Sequence, residues 1–217
     1  QNQYAVAIGN NAGKVSQGQY GVSIGAGAAE NSQGNFSVAV GTSAGETTQA
    51  TESVAVGHEA GQSNQGTNSV AVGSGTAQTT QGSASVAVGA QAGQTSQAAN
   101  SVSVGFQAGF TSQATVATAL GYVAGQTSQA TRCVAVGANA GQTTQAIGAV
   151  AVGYQAGQVS QGTETVAVGN GAGQTSQGAN SVAIGYFSGN ANQSSNSISI
   201  GAGCGQTDQG SQSVAVG

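Results

Sequence analysis

Large and small apolar residues alternate along this chain in a short unit that returns every sixteen positions. A Gly stands at 9, 25, 41, 57 and onward to 217, always at that interval and without insertion. Registers are counted here from this landmark Gly, negative before it and positive after it. Register −1 is aliphatic in every copy, as in Ile8, Val40 and Val216, and register −3 is Val or Ile except where Thr118 stands. Between them register −2 holds only Ala or Ser, as in Ala7, Ser23 and Ala39. Large, small, large with period two predicts a strand. A second extended segment, A-G-Q-T-S-Q in its commonest form, follows a short turn, and the Gly or Ala behind its last Gln supplies the next bend.

Two short strands per repeat predict one coil of an all-β parallel β-solenoid, a β-roll of about 13 sixteen-residue coils stacked in register. One extra residue would turn a strand's core face outward, so the strict absence of insertions supports this reading. The absence of Pro supports it too, because every coil's N–H groups are needed in the ladders. The pattern further predicts two buried aliphatic side chains per coil, with flat Ala/Ser/Gly faces left for close approach by another copy. Ordering sixteen residues around so few aliphatic groups calls for help from side-chain ladders and lateral packing. Residues 1–217 read as a single repeat domain without linkers or capping coils. An uncapped solenoid end exposes unpaired strand edges, so either a segment of a longer fibre or end-to-end stacking of subunits is expected.

The second invariant column is Gln: Gln17, Gln33, Gln49, Gln65, Gln81, Gln97, Gln113, Gln129, Gln145, Gln161, Gln177, Gln193 and Gln209 keep the same interval. Identical amides stacked at strand spacing donate to and accept from one another, which predicts a structural Gln ladder. A Thr column lies two residues before it, with Thr79, Thr95, Thr111, Thr127 and Thr143 in consecutive coils. Regular Thr on a flat solenoid face is the pattern of an ice- or ligand-binding surface, and ice binding is the alternative function. The column is interrupted at Val15, Asn31, Ser63, Val159 and Ala191, and β-branched Thr also suits a strand for its own sake. Tyr4, Tyr20 and Phe36 share register −5 in three successive coils and predict an aromatic ladder, either shielding the thin core or offering a stacking platform to sugars. Phe106, Tyr122, Tyr154 and Tyr186 share register +1.

Composition removes most function classes. Only 4% of the 217 residues are charged, against roughly a quarter in an ordinary domain. The net charge of −4 offers no electrostatic surface to a polyanion, so no nucleic-acid partner is expected. No aliphatic run approaches the ~20 residues that cross a bilayer, so no membrane span is expected. His58 is the only histidine, beside Glu59 and without Asp or Cys in its coil, so triad chemistry lacks its parts. No catalytic, cofactor-binding or metal-ligating residue is assigned, since a metal site needs several clustered ligands. The runs GNGAGQ at 169 and GAGCGQ at 201 resemble Gly-rich phosphate loops but are the ordinary turn of the repeat, ahead of a strand instead of a helix. Lys14 and Glu30 fall in one column of adjacent coils and predict an exposed ion pair. Cys133 and Cys204 lie about four coils apart, too far for a bridge within the chain. N-glycosylation sequons occur at Asn35-Phe36-Ser37 and Asn192-Gln193-Ser194.

The segments S-V-A-V-G and S-V-A-I-G at 37–41, 53–57, 69–73 and 181–185, often preceded by Asn as at Asn68, Asn100 and Asn180, resemble the head repeat of trimeric autotransporter adhesins. They are similar also to repeats in phage and giant-virus fibre proteins. The resemblance runs over essentially the whole chain, although the period and the A-G-Q-T-S-Q half depart from the adhesin pattern. It implies a surface-displayed structural or adhesive fibre outside the cell, on a cell or virion surface. It implies self-association as a trimer or polymeric filament, and contact with a host surface, matrix or glycan. Repeated columns of one weak contact would then act through avidity.

Overall fold

A computed structural model describes residues 2–217. The chain is all-β, a parallel β-solenoid of about 13 coils. It divides into two units, residues up to 112 and residues 113–217. In the first unit the predicted strands are Val6–Ile8, Val22–Ile24, Val38–Val40, Val54–Val56, Val70–Val72, Val86–Val88 and Val102–Val104. Neighbours pair in parallel at an offset of one repeat, as in Val38↔Val54, Ala39↔Ala55 and Val40↔Val56. The second unit repeats the arrangement in Thr118–Leu120, Val134–Val136, Val150–Val152, Val166–Val168, Val182–Ile184, Ile198–Ile200 and Val214–Val216.

The second strand of each coil is less uniform. In the second unit Thr127–Gln129, Thr143–Gln145, Val159–Gln161 and Thr175–Gln177 stack in parallel. In the first unit Val15–Gln17 pairs with Asn31–Gln33 and Thr80–Gln81 with Ser96–Gln97, while between them only single bridges join Gln33, Gln49, Gln65 and Gln81.

The landmark Gly is required twice over. Its φ lies between 118° and 134° at every internal copy, a region closed to L side chains. A Cβ added at Gly57 or Gly153 would also sit 2.5 or 2.6 Å from the carbonyl oxygen of the landmark Gly one coil on. The turn before each first strand uses a left-handed residue of any type, including Tyr20 (φ 57°), Glu52 (φ 58°) and even β-branched Val116 (φ 59°).

The core is the reverse of the expected one. Register −2 is fully buried in the interior coils, as in Ala39, Ala55, Ala71, Ala135 and Ala151, and so is register +3, as in Ala44, Ala60 and Ala92. The aliphatic residues at registers −3 and −1 point outward, half-buried at Val38, Val40, Val70 and Val72 and exposed at Val6, Ile8, Ile198 and Ile200. The small-residue columns therefore line the interior and form no free face. The reason is the width of the coil. Sixteen residues leave a lumen that a Gln side chain already spans, and the side chains beside it are small, mostly Ala and Ser with Thr76, Cys133 and Thr165 among the larger ones.

Candidate functional site: the amide ladders and the aliphatic face

Each Gln of the invariant column is buried to within a few per cent and reaches across the lumen. Its Nε2 donates to the register −3 carbonyl of its own coil, as in Gln49 to Val38 (2.7 Å), Gln161 to Val150 (2.8 Å) and Gln193 to Val182 (2.9 Å). That contact fixes which end of the amide is nitrogen, and Oε1 is left to receive the Nε2 of the preceding coil. In the second unit the ladder is unbroken: Gln113, Gln129, Gln145, Gln161, Gln177 and Gln193 each donate to the next Gln at 2.9–3.2 Å, ending at Gln209. In the first unit Gln33 donates to Gln49, Gln65 to Gln81 and Gln81 to Gln97, each at 3.2 Å. Between Gln17 and Gln33 the Ser23 hydroxyl is inserted, accepting from Gln17 at 3.2 Å and donating to Gln33 at 2.9 Å. Gln49 makes no bond to Gln65, whose buried Oε1 has no partner.

A second ladder runs on the outside at register +5, and the repeat-level reading passed over it. Gln78 donates to Gln62 (3.3 Å) and Gln94 to Gln78 (3.1 Å), while Gln142, Gln158, Gln174 and Asn190 each donate to the preceding coil at 2.9–3.2 Å. Its signal was the first Gln of A-G-Q-T-S-Q, which recurs at 62, 78, 94, 126, 142, 158, 174 and 206. The two ladders point in opposite directions, inner amides donating forward and outer amides backward. In the first unit Gln62 ends the outer chain by donating to the Glu46 carboxylate at 2.9 Å. A carboxylate only accepts, so Glu46 sets that direction.

The Thr column lies on the outer surface. Thr79 and Thr95 are exposed, and Thr111, Thr127 and Thr143 are half-buried. Thr127 and Thr143 direct their hydroxyls at the carbonyls of Gln142 (3.3 Å) and Gln158 (3.4 Å) in the following coil, which draws those donors into the solenoid's own bonding. Tyr4, Tyr20 and Phe36 form a stack, with centroids 5.2 and 5.1 Å apart and planes within 7°. The rings cover one another's faces and turn edges to solvent, so Tyr20 offers no open face to a sugar. All three rings are exposed, in the turn ahead of the first strand of their coils.

Lys14 Nζ and Glu30 Oε1 are 3.2 Å apart at the surface, and His58 Nε2 is 3.8 Å from Glu59 Oε1. Cys133 and Cys204 are both free thiols. Cys133 fills a register held mostly by Ser and Ala in the other coils, and burial pushes its thiol above the ordinary value. Of the sequons, Asn35 accepts the Gln19 N–H at 2.9 Å and Asn192 donates to Asp208 at 2.9 Å.

No protein-family model and no curated protein matches the chain. Among the described residues no helix is long and apolar enough to cross a membrane, and no group of three or more His, Cys, Asp or Glu could hold a metal ion.

What remains as a candidate site is therefore a surface. Eighteen of the twenty exposed large apolar side chains lie in the arc from register −6 to register +1, Val15 and Val159 being the exceptions. Two aliphatic columns run down this arc, with aromatic residues along both rims: Tyr4, Tyr20 and Phe36 on one, Phe106, Tyr122, Tyr154 and Tyr186 on the other. Monomeric proteins rarely gather their exposed apolar side chains along one arc of the repeat in this way.

Proposed function

We propose that this chain is a non-catalytic structural and adhesive fibre protein of the extracellular space, displayed on a cell or virion surface, which assembles with copies of itself through its aliphatic face. One observation carries the reading: the coils close their interior mainly with Ala, Ser and Gln and turn the aliphatic residues of registers −3 and −1 outward. Stacked in register, these valines cover one another only in part, whereas a second copy laid on them would remove the remainder from water at roughly 25 cal/mol per Å². The ladders serve the same end by stiffening the element. The likeness of S-V-A-V-G to adhesin and viral-fibre repeats supports a trimer or filament and a host surface, matrix or glycan as its target.

Light scattering coupled to size exclusion tests this. The unaltered chain should run as a defined oligomer or filament, and Val54→Glu with Val70→Glu should return it to monomer with its β-sheet circular dichroism intact. A dispersed monomer before any substitution would reject the assembly. The exposed Thr79 and Thr95 would then be the face to examine, by thermal hysteresis.

A further inference from the structure

In the second unit the aromatic residues of register +1 are set like the stack of Tyr4, Tyr20 and Phe36 with its middle ring left out. Tyr122 and Tyr154 stand two coils apart, both exposed, and half-buried Ala138 between them offers only a methyl group. The three turns are held in register: the Asn139 N–H donates to the Tyr122 carbonyl at 2.9 Å and the Gln155 N–H to the Ala138 carbonyl at 3.0 Å. Two strand spacings put the tyrosine positions about 9–10 Å apart. In the first unit rings one coil apart stack at 5.2 and 5.1 Å, so a ring laid over Ala138 would stand at a similar distance from both tyrosines. The same separation recurs between Tyr154 and Tyr186, but there Asn170 fills the middle and Tyr186 sets its ring edge to face with Phe187, centroids 4.5 Å apart.

Polar groups border the gap. Asn139 is half-buried beside Ala138, and its side-chain amide makes no hydrogen bond among the described residues, nor does that of Gln155 one coil on. In the first unit amides of this register bond to one another, Gln107 donating to Gln91 at 2.9 Å. The geometry points to a clamp for one uncharged pyranose ring of gluco configuration, held between Tyr122 and Tyr154 with Asn139 bonding a ring substituent. A tyrosine face is negative and attracts C–H bonds. A pyranose turns C–H bonds to both sides only when all its substituents are equatorial, as in glucose, whereas mannose or galactose would press an axial hydroxyl on one ring. A puckered chair is thicker than a flat ring and fills a gap of two strand spacings more completely. The Asn139 amide both donates and accepts, which suits a hydroxyl. Registers +1 and +2 of these three coils hold no charged residue, so nothing there would fix an anionic sugar. The clamp goes beyond the fibre reading by giving its glycan target a chemical class, and it needs no second copy.

Calorimetric titration with cellohexaose tests this, with light scattering on the same samples. The unaltered chain should bind cellohexaose about tenfold more tightly than β-1,4-linked mannohexaose. Ala138→Tyr should abolish binding by completing the stack. Register +1 already accepts Tyr at 122, 154 and 186, so this variant should keep its β-sheet circular dichroism. Tyr154→Ala should weaken binding about tenfold and Asn139→Ala about fivefold, while Tyr20→Ala, in the filled stack, should leave it unchanged. The clamp is overturned if cellohexaose gives no heat, if mannohexaose binds equally well, or if a folded Ala138→Tyr chain still binds. Tighter binding of indole than of cellohexaose would overturn it too, marking a slot for flat rings. Light scattering keeps this apart from the assembly reading: an oligomer that gives no heat rejects the clamp alone, and a monomer that binds supports the clamp and rejects assembly.

Discussion

The two units share one repeat yet differ in how completely their amides connect. In the second unit six consecutive Gln–Gln bonds run from Gln113 to Gln209, and every residue at register +7 from Ser128 to Asp208 adopts a left-handed conformation. In the first unit Ser16, Ser32, Asn64 and Ser112 adopt it and Thr48, Thr80 and Ser96 do not. Asn64 is therefore stacked between two coils of different backbone shape. Around it the second strand falls to single bridges and Gln49 loses contact with Gln65, although Gln65 keeps its bond to Gln81 across an equally unlike pair and single bridges recur at Thr175, Ala191 and Thr207 in the second unit. Residue type alone does not decide the matter, because Thr144 is left-handed in the second unit. Unlike neighbours accompany the break but are not enough to cause it, since Gln33 still bonds Gln49 across Ser32 and Thr48.

This contrast can be broken or sharpened by substitution. The largest effect should come from a landmark Gly in either unit. Gly57→Ala and Gly153→Ala each drive a Cβ into the next coil's backbone at a positive φ, and equilibrium unfolding in urea should show a loss of roughly 4 kcal/mol for both. Equal losses would show that the backbone stack is the same in the two units.

Deleting a ladder amide should distinguish them. Gln161→Ala removes a bond from Gln145, a bond to Gln177 and one to Val150. It should lose about 3 kcal/mol by the same measurement. Gln49→Ala ends only the bond from Gln33 among its ladder contacts, besides those to Val38 and Ser53, and should lose about 1 kcal/mol less.

A smaller contrast lies four residues after the landmark. An added Cβ at Gly141 overlaps the Gln145 amide, whereas at Gly45 it stops 3.0 Å from the Gln49 amide. Ala occupies this register at Ala29 and Ala77 with φ of 46° and 47°, so the backbone tolerates it. Gly45→Ala should fall within about 0.5 kcal/mol of the unaltered chain and Gly141→Ala should be destabilising by about 1–2 kcal/mol. The smallest effect should be seen without substitution: amides of residues 47–66 should exchange with deuterium faster than those of 143–162, read by mass spectrometry.

The coil, its period and the parallel register were legible in the sequence because each follows from spacing: a Gly and a Gln that never shift leave one way to stack sixteen residues. The buried Gln column was legible for the same reason. Which face of the strand turns inward was not. Val-Ala-Val reads as aliphatic-in for any sheet wide enough to hold valine, and only the narrowness of the lumen, already filled by Gln17 and its successors, reverses it. The Ser23 insertion and the Gln49–Gln65 break were hidden too, since Ser23 fills a register shared with Ala and the Gln column itself continues unchanged through the break.

An interior of methyl groups and amides also changes how the protein should respond to temperature. The heat-capacity increase on unfolding comes from newly wetted apolar surface and is reduced by newly wetted polar surface. Each coil that opens here wets an amide, several peptide groups and a few methyls, while its valines are partly wet already. The heat capacity per residue should therefore fall below that of an ordinary globular domain. The stability curve is then shallow, and a fibre element built this way would hold nearly the same stability in the cold as at midsummer warmth.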